Sequence, residues 1–233
     1  VVVLLGLQFT WLTRLQQVSE RAQQAALQNY LEGVSSQVEA FYRSSAERLL
    51  NLPAARFRQA EGSPAVPLWQ PRQLEGVRRL FLVDFTHSRT GAVRFYDATG
   101  PTSETAPSLG EALAISMASS PWTIGGVGGP RTSGLSVDER DPRFRMILNP
   151  ITDDSARVVG VAGMILDEEY FKQHLLPESI QHALPDYFPD EALNDMVVQV
   201  RDARQELVMS SRQVDSPGRP VTRNFSFVFT DWT

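Results

Sequence analysis

The chain has 233 residues, 42% of them hydrophobic, enough for one large or two small cores and too apolar for intrinsic disorder. Its formal net charge is -5 with both signs interspersed, so it offers no basic field for nucleic acid and no polybasic membrane patch. Cysteine is absent, which excludes disulfides and thiolate chemistry.

The chain opens on an apolar run, VVVLLGLQFTWLT, with no charge before Arg14. The run is about thirteen residues, short of the roughly 20 that span a bilayer. It reads as the outer half of a longer transmembrane helix, with Trp11 as the interfacial aromatic. A signal-peptide core and a buried helix of a soluble domain are the competing readings. From Arg14 onward Leu15, Val18, Ala22, Ala25, Leu27, Leu31, Val34, Val38 and Phe41 recur in steps that mostly make one narrow helix face, with Leu49 and Leu50 near its end. Gln, Glu, Ser and Arg fill the remainder, as expected for a helix that packs along one seam. Pro53 ends it. At 1.5 Å per residue such a helix reaches about 60 Å, so part of it is expected to project. The alternative is a long core helix of a monomer.

Residues 54–77, with Pro64, Pro67, Pro71, Gly62 and Gly76, read as a connector. Arg79–Phe85 and Ala92–Asp97 then flank a polar turn and predict a hairpin. Pro107–Ser119 predicts a helix, with Leu109, Leu113 and Met117 spaced by four and Glu111 in the first turn, ending before Pro121. Gly125–Gly134 reads as loop. Phe144–Ile151 and Arg157–Asp167 predict two more strands around the turn Asp153-Asp154-Ser155. Glu168–Leu176 is predicted helical, and Pro177, Pro185 and Pro189 suggest one short helix followed by irregular chain. Asn224–Asp231 alternates strictly, with Phe225, Phe227 and Phe229 on one face, and predicts a half-buried strand.

This order of elements resembles the Cache (PDC) sensor domains of bacterial membrane receptors. The strongest local likeness is VVGVAGMILDEEYFKQHLL, Val158–Leu176, an apolar strand with small central residues, an acidic end and a helix with aromatic and leucine anchors. Gly160, Ala162 and Gly163 keep that strand's surface low, so that a helix or ligand can approach. MVVQVRDARQELVMS, Met196–Ser210, is similar to the hairpin that follows in such receptors, but has Ala203–Glu206 where a glycine turn is usual. The resemblance implies an α+β fold, a long N-terminal helix on a mostly antiparallel PAS-like or Cache-like sheet, with a C-terminal hairpin and final strand. It implies a division into the end of a membrane helix (1–13), a stalk and signalling helix (14–52), a sensor core (53–184) and a C-terminal strand region (185–233) leading to a second span. The implied function is ligand sensing at the bacterial inner membrane, facing the periplasm or outside, with output through a two-component histidine kinase, or through a cyclase or chemoreceptor.

No catalytic signature, cofactor motif or metal motif stands out. His87, His174 and His182 fit no short metal motif, and Gly125, Gly126, Gly128 and Gly129 lack the Gly-Lys-Ser/Thr ending of a phosphate loop. Asp138, Glu139 and Asp141 are interleaved with Arg140, Arg143 and Arg145, which reads as a solvated charged turn or, in the alternative, the cation site of a membrane-anchored periplasmic hydrolase. For a sensor, Arg94 and Tyr96 share one strand face, where a guanidinium fork and a hydroxyl suit a small anionic ligand. Trp122 is placed as an aromatic wall, and Arg145 and Asn149 on one face of the next strand complete the set. Arg94 and Tyr96 as the solvent side of an ordinary strand is the bland alternative. Signal passage is expected through Leu31, Val34 and Val38 on the helix, against the partner of a homodimer. A ligand-free scaffold that dimerises through the stalk is the remaining alternative.

Overall fold

The computed structural model describes residues 2–55, 74–88, 90–97, 108–124, 134–187, 197–201, 205 and 207–211, with side chains from Glu20 onward except at Asp97, Thr123, Ile124, 184–187 and Val208. The Gly125–Gly129 loop, most of the 54–77 connector and the Asn224–Asp231 strand lie outside the described residues. The fold is α+β: a long N-terminal helix, a five-stranded antiparallel sheet and a two-stranded hairpin.

Helix α1, Val2–Leu50, is continuous over 49 residues, about 73 Å at the usual rise. The buried stripe is Tyr30, Val34, Val38, Tyr42, Ser45, Ala46, Leu49 and Leu50, whereas Ala22 and Ala25 are exposed and Leu31 and Phe41 only half-buried. Val34 and Val38 therefore lie inside the protein's own core, and two tyrosines occupy stripe positions that the sequence pattern assigned to Leu31 and Phe41. Tyr30 buries like a phenylalanine because its hydroxyl finds a partner in the Ile180 carbonyl.

The described residues fall into two compact units, one holding those up to Val38 and from Lys172 onward, the other Glu39–Phe171. In the first, the Tyr30 hydroxyl donates to the carbonyl of Ile180 at 3.2 Å, on helix α4 (Leu176–Tyr187). That helix buries Leu176, Ser179, Ile180 and Ala183. It follows without a break on a π-helical turn, Phe171–Leu175, and carries Pro177 as its second residue. Strands β6 (Gln199–Arg201) and β7 (Leu207–Ser210) pair antiparallel. Gln205 lies between them with φ 65, the left-handed role that a glycine usually takes.

In the second unit, β1 (Val77–Asp84), β2 (Ala92–Asp97), β3 (Ser136–Asp138), β4 (Met146–Thr152) and β5 (Val158–Leu166) form a sheet of order β2-β1-β5-β4-β3. The sequence pattern marked four of these strands and missed β3, which is too short to show a period. Phe144, placed in a strand by that pattern, instead ends a short 3-10 turn, Pro142–Phe144, capped by Asp141. One sheet face, with helix α2 (Leu109–Ile124), carries a core of Phe81, Val83, Phe95, Ile115, Ala118, Met146, Leu148, Val161 and Ile165. A Cβ on Gly163 would stand 2.1 Å from the Phe81 ring, so the group that the low surface of β5 admits there is Phe81. The opposite face carries buried Leu80, Leu82, Ile147, Ala162 and Met164. It turns toward the last turns of α1, whose Leu50 carbonyl accepts a hydrogen bond from Asn149.

Helix α2 runs through Pro121 to Ile124, where the sequence pattern ended it before the proline. Proline deprives the carbonyl four residues earlier of its N–H partner. The Ser120 hydroxyl supplies that partner, donating to the Met117 carbonyl at 2.8 Å.

Candidate functional site

Register decides which candidate residues share a face. Arg94 lies opposite Leu82, Leu82 opposite Ala162, and Ala162 opposite Asn149, so Arg94 and Asn149 occupy one cross-strand row on the α1 side. Three strand spacings, about 14 Å, separate them. Tyr96, opposite Leu80, shares their face and is half-buried. Trp122 packs against the core cluster on the other face. The five residues therefore do not converge on one pocket.

The polar members have local partners. The Arg94 guanidinium stands 3.8 Å from the buried Asp84 carboxylate, which also accepts from the Thr86 backbone N–H at 2.8 Å and the Thr86 hydroxyl at 2.5 Å. The Asn149 side chain donates to Leu50 at 3.1 Å, satisfying one of the carbonyls that a helix C-terminus leaves open. Four described arginines are half-buried, Arg43, Arg79, Arg94 and Arg145. The first three have carboxylate partners in Glu39, Glu111 and Asp84; among the described residues Arg145 has none.

Arg145 lines a cleft with Tyr42, Pro142, Leu166, Asp167, Glu168 and Phe171. The cleft encloses about 10 Å³, room for a single water. Its wall on α1 is built by aromatic packing. Phe41 stacks on Tyr170 at 6.1 Å and meets Tyr42 edge-on at 5.2 Å, while Gly76, with φ +73, lets the chain pass where a Cβ would come within 2.9 Å of the Phe41 ring. Asp167 accepts from the backbone N–H groups of Glu169 (3.0 Å) and Tyr170 (3.1 Å), capping the short helix α3, Glu168–Tyr170. Burial pushes the Tyr42 phenol well above its usual range, with Asp167 and Tyr170 adding and Arg145 opposing. Tyr42 is thus a neutral apolar wall of the cleft at ordinary pH.

The acidic segment Asp138–Asp141 forms local pairs. Asp138 is bound by Arg140, and Asp141 by Arg143 at 2.9 Å. Burial raises the pKa of Asp138, but the Arg140 guanidinium and backbone N–H outweigh it and hold the carboxyl below its ordinary value. The Arg143 side chain, then its N–H, does the same for Asp141. His87, His174 and His182 are exposed, and among the described residues no group of three His, Asp or Glu side chains comes together to hold a metal.

Two features escaped the sequence pattern. Glu111 is buried beneath Arg78 (2.7 Å) and Arg79 (3.1 Å), and accepts from the Ser108 N–H and hydroxyl, each at 3.1 Å. The Glu111 N–H donates back to the Ser108 hydroxyl at 3.2 Å, completing a capping box that the spacing Ser-x-x-Glu does announce. The second is the outer face of α2. Leu109, Leu113 and Met117 are 89%, 61% and 48% exposed, so the apolar period seen in the sequence marks the outside of the helix, while Ile115, Ala118 and Ser119 face inward.

No described helix is long and apolar enough to cross a membrane. No family model, no curated protein and no solved structure matches the chain.

Proposed function

We propose that this chain is the sensing and transmitting domain of a membrane-bound receptor of the Cache (PDC) type, working through a sensor histidine kinase. The observation that carries this is the dual character of α1. Side chains of residues 20–29 are exposed apart from half-buried Ala26 and Leu27, whereas Tyr42, Ala46, Leu49 and Leu50 are buried in the unit that holds the sheet. Both stretches belong to one continuous helix, Val2–Leu50, the continuity that helix-borne signalling needs. A ligand acts in such a device only through its difference in affinity for two states, typically 1–3 kcal/mol of coupling, about a tenfold switch.

A thermal-shift panel of small organic acids, amines and divalent ions tests it. A specific binder at one hundred times its dissociation constant adds about 2.7 kcal/mol, which for a chain of this size raises the midpoint by roughly 5–10 °C. Loss of that shift in Arg94→Ala or in Arg145→Ala assigns the ligand to one end of the sheet face or the other. Silence across the panel, with full kinase signalling in a receptor lacking both arginines, contradicts the proposal.

Two observations support a second reading, a ligand-free module that docks on a partner. The Phe81 ring fills the space over Gly163 where a ligand would otherwise lie, and α2 turns three large apolar side chains outward. The hydrolase alternative draws no such support, because Asp138 and Asp141 are each bound to an arginine two residues on.

A further inference from the structure

Asn149 on β4 and Arg145, just before that strand begins, lie four residues apart, and each meets the α1 side at a different height. Arg145 lines the cleft with Tyr42, and Asn149 bonds to Leu50. Eight helical residues from Tyr42 to Leu50 rise about 12 Å, and four extended residues from Arg145 to Asn149 advance about 13 Å. The two rises match, so each end of the stretch Tyr42–Leu50 has one of these two residues at its own height. The chain leaves helix geometry after Leu50, whose carbonyl also accepts from the Leu52 N–H at 2.9 Å, ahead of Pro53. A helix end of this kind frays unless its carbonyls are held, and the side chain that holds this one comes from the sheet, 99 residues away in the chain.

We propose that Asn149 is a positioning residue, the clasp by which β4 fixes the end of α1, and that Arg94, in the same cross-strand row but bound to Asp84, has no part in it. This deepens the sensor reading by naming where the sheet's state reaches the helix, and its test needs no ligand, so it fails separately from that reading. β4 is suited to the task. It is the last full-length strand before the three-residue β3, and the turn that follows it is closed by a local pair, Arg157 on Asp153 at 2.9 Å.

Hydrogen exchange followed by mass spectrometry on the 233-residue chain reads the clasp directly. Asn149→Ala removes the donor, and Asn149→Leu removes it while keeping bulk. In both, amides of α1 between Tyr42 and Leu52 are expected to exchange about five- to tenfold faster, the range of one lost hydrogen bond. Those of β1 and β5 should stay unchanged. Arg94→Ala should leave the α1 segment as in the parent chain. Unchanged exchange of α1 in both Asn149 variants overturns the proposal. So does equal acceleration of α1 and the sheet, or loss of the cooperative unfolding transition in both, because a clasp is dispensable to the sheet whereas a core residue is not. Acceleration of the same segment by Arg94→Ala would overturn the assignment to β4.

Discussion

The two faces of the five-stranded sheet are built on different principles. On the α2 side, eight buried apolar side chains close around Phe81, whose ring rests on Gly163. On the α1 side, buried aliphatics alternate with Arg94, Tyr96 and Asn149, and the buried carboxylate of Asp84 lies at the edge. Apolar close packing has one good solution and resists displacement. Polar contacts at a helix–sheet boundary are directional, of modest net worth each, and exchangeable for water or another partner. On this reasoning the α2 face should carry the larger share of the stability, and the α1 face should be the easier of the two to rearrange.

Substitutions can break that contrast, beginning with the apolar face. Phe81→Ala empties the centre of the core and should cost about 3–5 kcal/mol, read as a lowered midpoint in urea with an unchanged slope. A loss below 1 kcal/mol would mean that the face is not the stability-determining one. Next comes the cap of α2. Glu111→Gln keeps the shape but removes the charge facing two arginines, and should cost about 2 kcal/mol at neutral pH. Burial alone would raise the Glu111 pKa; the Ser108 N–H, then Arg78, Arg79 and the Ser108 hydroxyl, hold it below its ordinary value. The folded chain then binds fewer protons than the unfolded chain in mild acid. Stability from this group is complete above the unfolded carboxylate pKa of about 4.3 and is lost as pH falls through the lower folded value. Thermal midpoints from pH 6 to 2 should show a shallower acid limb in Glu111→Gln; parallel limbs would remove Glu111 from the account. Smallest is Arg94→Ala on the polar face. Its ion pair is loose at 3.8 Å, its guanidinium is one-third exposed, and Asp84 keeps both bonds from Thr86, so the expected loss is under about 1 kcal/mol, and a larger one would make that face as structural as the other.

Much of this architecture was legible in the sequence, and what was not has identifiable physical causes. Runs such as RLFLVDF and VVGVAGMIL announced β1 and β5 because buried strands are apolar on both faces. β3 was not legible, since three residues of mixed polarity carry no period. The proline in α2 misled because a serine hydroxyl beside it supplies the bond that the proline removes. Tyr30 and Tyr42 were overlooked on α1 because a phenol counts as polar until its surroundings are known. For the candidate site, alternation put Arg94 and Tyr96 on one face, where the register of β1 and β2 has them, whereas Arg145, grouped with Asn149 in the same way, precedes β4. Grouping Trp122 with them required knowing which helix covers which face, information held only in the tertiary fold. The spacing of Leu109, Leu113 and Met117 identified a helix, but periodicity alone cannot tell an apolar face turned inward from one turned outward.

The central claim is that the sheet-bearing unit holds α1 at its end and leaves the stretch upstream exposed. Native-state hydrogen exchange of the unmodified chain at low concentration tests it most directly. Strong protection is expected for amides between Tyr42 and Leu50 and much weaker protection for residues 20–29, the two stretches opening in separate steps. Equal protection along both stretches, lost in a single step, would contradict it.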